Sequence, residues 1–220
     1  MRGKGGVAGV LLGIVGVILT GCALFEEPEP VAPVQAPQVV ASTGELSDGI
    51  SISWSSVEGA TDYHVFRAQA EQGPYQALVE TSATQWIDQV GEENKSKLYW
   101  YRVRACNAGG CGPESTPAVG YAGAPPPPTG LQATRDLTDK IVITWEPVPG
   151  ATHYQVNRDA ARDGTYEHTV AEEATTTSAE DTSVLSGRRY WYMVRTCSDQ
   201  GCGPLSEPVY GCRSACPPGS

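Results

Sequence analysis

Apolar and polar residues alternate one for one in several short stretches of this chain. "ISISW" (50–54) and "IVITW" (141–145) do so, as do "YHVFR" (63–67), "YQVNR" (154–158), "YWYRVRA" (99–105) and "YWYMVRT" (190–196). A period of two marks half-buried strands, with one face toward a core and the other toward solvent. It sets Tyr63, Val65, Tyr99, Tyr101 and Val103 inward, with Tyr154, Val156, Tyr190, Tyr192 and Val194 as their counterparts. Outward go His64, Phe66, Trp100, Arg102 and Arg104, and later Gln155, Asn157, Trp191, Met193 and Arg195. No eleven-residue window beyond the first twenty residues has a helical period. Short strands separated by turn signals predict an all-β chain built as an antiparallel sandwich.

The strands come in two sets, and a constant offset of 91 relates them. Trp54 maps to Trp145, Tyr63 to Tyr154, Arg67 to Arg158, Tyr75 to Tyr166, Trp100 to Trp191, Cys106 to Cys197, Cys111 to Cys202 and Pro113 to Pro204. Two copies at this long period suit two autonomous domains, because solenoids use shorter units in greater number. Residues 35–122 and 129–211 are the expected domains, separated by a proline linker at 123–128. A Cys/Pro tail follows at 212–220, and an acidic, proline-rich stretch at 22–34 reads as an extended tether. Gly 25 and Pro 17 agree with many turns and few helices.

Residues 1–21 are a different kind of text. Arg2 and Lys4 precede an uncharged, mostly apolar run from Val7 to Thr20, which is too short for a comfortable membrane span of about 20 residues. A basic start, a short apolar run and small residues at the cut describe a secretory signal. "LTGC" at 19–22 resembles the lipobox of bacterial lipoproteins. The resemblance implies cleavage before Cys22 and diacylglycerol on its thiol, hence membrane lipid as a partner and an envelope location on the extracytoplasmic side. Ala23 in place of an acid implies outer-membrane delivery in a diderm cell. Removing residues 1–21 takes away two cations, moving the net charge from −10 to −12.

Each domain resembles the fibronectin type III family. The residues that carry the resemblance are the Trp ending the second strand (Trp54, Trp145) and the Gly-Ala-Thr before Tyr63 and Tyr154. Further along come Gly-x-x-Tyr-x-Tyr-x-Val at 187–194 and Gly-Cys-Gly-Pro-x-Ser at 110–115 and 201–206. The resemblance implies two tandem immunoglobulin-like sandwiches, with Tyr99 and Tyr190 at the tyrosine corner. "GEENKSKLY" departs from the compact approach to that corner, so a longer loop is expected in the first copy. It also places "ACNAGGC" and "TCSDQGC" across a hairpin, so that Cys106 faces Cys111 and Cys197 faces Cys202. Cys212 and Cys216 would then form a third local disulfide, as an oxidising compartment allows. Six cysteines permit other pairings, and the repeat is what favours these. Zinc is the alternative for such pairs, but no histidine lies near them along the chain.

Little in the sequence points to catalysis. There is no Gly-x-Ser-x-Gly elbow and no phosphate-binding glycine loop. His64 and His153 adjoin a strand Tyr and should face outward, and His168 lies apart. "ELSD" (45–48) and "DLTD" (136–139) repeat an acid-x-x-acid spacing, yet two carboxylates fall short of a calcium shell. No catalytic residue, metal or cofactor is expected. Net acidity without a basic block excludes nucleic acid as a partner. What remains is the outward face: His64, Phe66, Trp100, Arg102 and Arg104 in the first copy, Trp191 and Arg195 in the second. Trp, Tyr and Arg dominate binding hot spots. The expectation is therefore a lipid-anchored module that binds an envelope or extracellular protein or spaces it from the membrane. A carbohydrate-binding module using exposed aromatics is the alternative, and the same pattern with no ligand is Arg stems covering a sheet.

Overall fold

A computed structural model describes residues 28–214 and 216. The lipobox, Cys22 and the start of the tether lie outside the described residues. The first copy contains β1 (Val39–Ala41), β2 (Gly49–Trp54), β3 (Asp62–Ala68), β4 (Gln76–Thr81), β5 (Gln85–Gln89), β6 (Tyr99–Asn107), β7 (Gly110–Glu114) and β8 (Ala118–Gly120). The second contains β9 (Gln132–Ala133), β10 (Ile141–Thr144), β11 (His153–Asp159), β12 (His168–Ala174), β13 (Ser178–Asp181), β14 (Arg189–Ser198), β15 (Gly201–Leu205) and β16 (Val209–Cys212). Each copy pairs a three-stranded sheet, β1-β2-β5 or β9-β10-β13, with a larger one ordered β4-β3-β6-β7 or β12-β11-β14-β15. All pairings within these sheets are antiparallel.

The period-two alternation decides the core. Ile50, Ile52 and Trp54 from one sheet meet Tyr63, Val65, Tyr99, Tyr101 and Val103 from the other. Ile141, Ile143 and Trp145 meet Tyr154, Val156, Tyr190, Tyr192 and Val194 in the second copy. Trp54 packs on Tyr63 at 5.7 Å and Trp145 on Tyr154 at 5.3 Å between ring centroids. Each of these tyrosine hydroxyls accepts a backbone N–H, from Val57 at 3.0 Å and from Val148 at 2.9 Å. The polar tip is thereby satisfied while the ring stays buried.

A charged triad ties the two sheets in both copies. Arg67 and the Tyr101 hydroxyl both donate to Asp88 at 2.8 Å, and Asp88 is buried. Arg158 and the Tyr192 hydroxyl donate to Asp181 at 2.6 and 3.0 Å. Burial raises the Asp181 carboxyl, but bonds from Ser183 and Arg158 outweigh it and hold it below the usual range.

The last strand of each larger sheet is broken. β7 and β8 both pair with β6, and β15 and β16 both pair with β14, with a register shift between them. Ser115 and Ser206 patch the break: each hydroxyl accepts the N–H of Val103 or Val194, and each backbone N–H donates to the carbonyl of the same valine. This accounts for the serine in Gly-Cys-Gly-Pro-x-Ser. At the tyrosine corner, Tyr190 accepts the Leu185 N–H at 3.2 Å, and the Arg67 and Arg158 guanidiniums lie over the Tyr99 and Tyr190 rings, each at 4.8 Å. The loop before Tyr99 holds a 3-10 turn at Glu92–Asn94, in keeping with its greater length.

The proline segments lie against the sandwiches that follow them. The Asn107 side-chain amide donates to the Val31 carbonyl at 2.8 Å. A Cβ on Gly112 would collide with the Pro33 carbonyl oxygen, and one on Gly203 with that of Pro125. Glycine at these positions is what lets the proline backbone approach β7 and β15. The stretch around Pro33, within the segment read as a tether, thus lies against β7.

Candidate functional site

The outward face of the first larger sheet is a closed set of contacts. Phe66 lies opposite Arg102 in register, and Trp100 lies opposite Ala68. The Arg102 guanidinium stacks over Tyr75 at 4.5 Å and that of Arg104 over Phe66 at 5.6 Å. Glu114, on β7, accepts from both arginines, one on each carboxylate oxygen. The Arg102 bond comes first among the causes holding the Glu114 carboxyl below its usual range, ahead of Arg104. Phe66, Trp100, Arg102 and Arg104 are all half-buried. These residues therefore lie as neighbours on one face, with one carboxylate shared between its two guanidiniums.

The second copy builds a different surface on the same strands. Position 205, equivalent to Glu114, is leucine, so Arg195 donates to the Gln155 side chain at 2.6 Å. Trp191 packs against Tyr210 of β16 at 5.3 Å, with Arg162 over Trp191 at 5.8 Å. Arg135 and Arg189 lie over the Tyr210 ring at 4.0 and 4.7 Å. Tyr75, Glu114 and Tyr210 were not legible as face residues. Tyr75 has an offset partner, Tyr166, but that ring is buried and its hydroxyl donates to the Arg162 carbonyl.

The hairpins at the end of this face are bridged. Cys106–Cys111 and Cys197–Cys202 join residues directly opposed across β6–β7 and β14–β15, and Cys212–Cys216 closes a third short loop. A histidine stands beside each of the first two, contrary to the expectation from chain spacing. The Nδ1 of His64 is 3.9 Å from Cys111 Sγ, and His153 lies directly opposite Cys197 in register. In each copy a ring nitrogen and both sulfurs lie within 4.8 Å of one another. Sequence spacing hid this because the contact crosses strands, from β3 to β6 and from β11 to β14. Among the described residues these are the two groups of His, Cys, Asp or Glu whose ligand atoms converge, and neither acid-x-x-acid motif is among them.

Residues 126–211, which hold the broken last strand, its serine patch and the second bridged hairpin, match the sequence profile of the fibronectin type III domain. This segment is a fibronectin type III domain. The first sandwich has the same strand order, disulfide and serine patch. Similar proteins include contactin-1 of Bos taurus, 24% identical over 203 residues, or 85% of this chain and 20% of contactin-1. The amylopullulanase of Thermoanaerobacterium saccharolyticum is 33% identical over 78 residues, which is 36% of this chain and 6% of that enzyme. The chain thus spans a fifth or less of the length of these curated relatives. A fibronectin type III-like protein from Clostridium thermocellum is 35% identical in its solved structure, over 40% of this chain and 92% of that one, with a TM-score of 0.38. Fibronectin type III domains are typically non-catalytic.

Proposed function

We propose that the chain is a non-catalytic lipoprotein, anchored through acylated Cys22 on the extracytoplasmic side of a bacterial envelope. Its two sandwiches serve there as a protein-binding or spacer module. The observation that carries the binding role is the face bearing Phe66 and Trp100, where Glu114 holds Arg102 over Tyr75 and Arg104 over Phe66 before any partner arrives. Pre-ordering of this kind lowers the entropy lost on association. The likeness to contactin-1 supports a module of protein contact in general terms. Crosslinking in the native envelope, followed by pull-down and mass spectrometry, tests the reading against a folded Phe66→Ala/Trp100→Ala variant. A protein partner recovered with the wild type alone supports it, and identical partner-free profiles remove the face and leave spacing.

A glycan-binding reading is favoured by one observation, the Trp191–Tyr210 pair flanked by Arg135 and Arg162. The segment shared with an amylopullulanase agrees with it. Sugars that stack on such a pair quench tryptophan fluorescence, and Trp191→Ala removes the quenching. Failure of soluble polysaccharides to alter the emission counts against this reading.

A further inference from the structure

Each larger sheet brings one imidazole and one disulfide together, although the two histidines sit at non-equivalent positions. His64 follows the strand tyrosine and His153 precedes it, yet both reach the sulfurs. The ring of His64 is held from behind. Its Nε2 lies 3.3 Å from Asp62 Oδ1 and 3.7 Å from Glu80 Oε1, while Nδ1 faces Cys111. Carboxylates on Nε2 favour the tautomer that keeps its proton there, which leaves the Nδ1 lone pair directed at sulfur. A carboxylate, backbone carbonyl or water behind the ring is the usual support of a metal-binding histidine. In the second domain the hydroxyl of Thr152 lies 3.1 Å from His153 Nδ1. The third disulfide, Cys212–Cys216, is in neither group and serves as an internal control.

The dimensions fit a tetrahedral ion. Bonds of about 2.3 Å to sulfur and 2.0 Å to nitrogen place the two ligand atoms roughly 3.5 Å apart. The observed separation of Nδ1 and Cys111 Sγ is 3.9 Å. Two thiolates on one ion sit roughly 3.8 Å apart by the same bond lengths. With Cα atoms 4.0 Å apart on paired strands, side-chain rotation alone can open the sulfurs to that distance.

We infer that reduction turns each hairpin disulfide into a Cys2His site for a zinc ion, formed by His64, Cys106 and Cys111 and by His153, Cys197 and Cys202. The reductant is a dithiol. It donates two electrons and two protons, becomes a disulfide itself, and leaves two cysteine thiols. Zinc binding then expels both thiol protons, so the ion meets two thiolates and a neutral imidazole. Water fills the fourth position. Exchange with a disulfide oxidant rebuilds the S–S bond, reduces that disulfide to two thiolates and releases the ion.

The test uses the full chain in detergent, reduced with an excess dithiol that is then removed without air, and titrated with Co²⁺. The expected result is a thiolate-to-cobalt charge-transfer band that saturates at two ions per chain and is abolished by Zn²⁺. The oxidised chain shows no band. His64→Ala and His153→Ala each reduce the count from two to one, and the pair together removes it. Cys212→Ser/Cys216→Ser leaves it at two. Asp62 is a positioning residue, so Asp62→Asn weakens the first site by about 10- to 100-fold with the band's shape intact. This second variant decides the matter if a histidine variant does not fold. A band that survives the loss of both histidines, tracks Cys212 and Cys216, or never forms on reduction overturns the proposal.

Discussion

Replacing Asp181 by asparagine isolates the charged triad of the second domain. The carboxylate is 2% exposed and accepts four bonds, from Arg158 at 2.6 Å, Tyr192 at 3.0 Å, and the Ser183 N–H and hydroxyl at 3.0 and 2.8 Å. An amide must place its NH2 against one pair of these donors, and it leaves a largely buried guanidinium without a counter-charge. Removing one partner of a buried pair costs about 3–5 kcal/mol. For a domain of this size each 1 kcal/mol moves the melting temperature by roughly 4–8 °C. A loss of about 3 kcal/mol thus lowers one transition by roughly 12–24 °C. Calorimetry of the oxidised full chain reads this directly, because each sandwich has its own core and Asp88→Asn moves the other transition. Acid adds a second signature. The folded Asp181 carboxyl lies below its unfolded value, so the unfolded chain binds the proton first as pH falls. The contribution is therefore complete above the unfolded value of about 4 and drains away below it. Asp181→Asn flattens that acid limb in the second transition. A shift under about 1 kcal/mol, or an equal shift of both transitions, refutes the reasoning.

Three further outcomes follow from local geometry. Ser206→Ala leaves the Val194 N–H buried without its acceptor and costs about 2 kcal/mol, read from the denaturant midpoint at unchanged slope. Tyr154→Phe removes the acceptor for the Val148 N–H and costs about 1–2 kcal/mol by the same measure, with Tyr63→Phe matching it in the first domain. Gly112→Ala drives a Cβ into the Pro33 carbonyl, so limited proteolysis should cut the segment before Gln38 faster than in the wild type. An unchanged cleavage rate shows that this segment is free of β7.

The alternation of "YWYRVRA" was enough to assign the faces of β6, because one residue per side is all that a period of two requires. Trp54, Tyr63 and their partners were legible as core for the same reason. What stayed hidden depends on contacts between strands. Glu114 pairs with Arg102 and Arg104 from ten or more residues away, and nothing local marks it as their partner. His64 and His153 break the 91-residue offset, so the repeat conceals that both reach a disulfide. Asp88 and Asp181 break it too, by two residues, because the loop between Arg158 and Asp181 is longer than that between Arg67 and Asp88. A strict alignment of the copies therefore passes over the triad that joins their sheets.

The proline segments on β7 and β15 bear on how many such chains can share one surface. An outermost strand offers unpaired N–H and C=O groups and is a template for a neighbour's strand. Proline has no N–H to continue a ladder, so a chain laid along that margin ends the sheet where another molecule would extend it. Gly112 and Gly203, on the outermost strands, admit the Pro33 and Pro125 backbone close against β7 and β15 in both domains. Backbone held that close to an outermost strand stands in the path of a second molecule's strand, so both proline segments act as guards against edge-to-edge self-association.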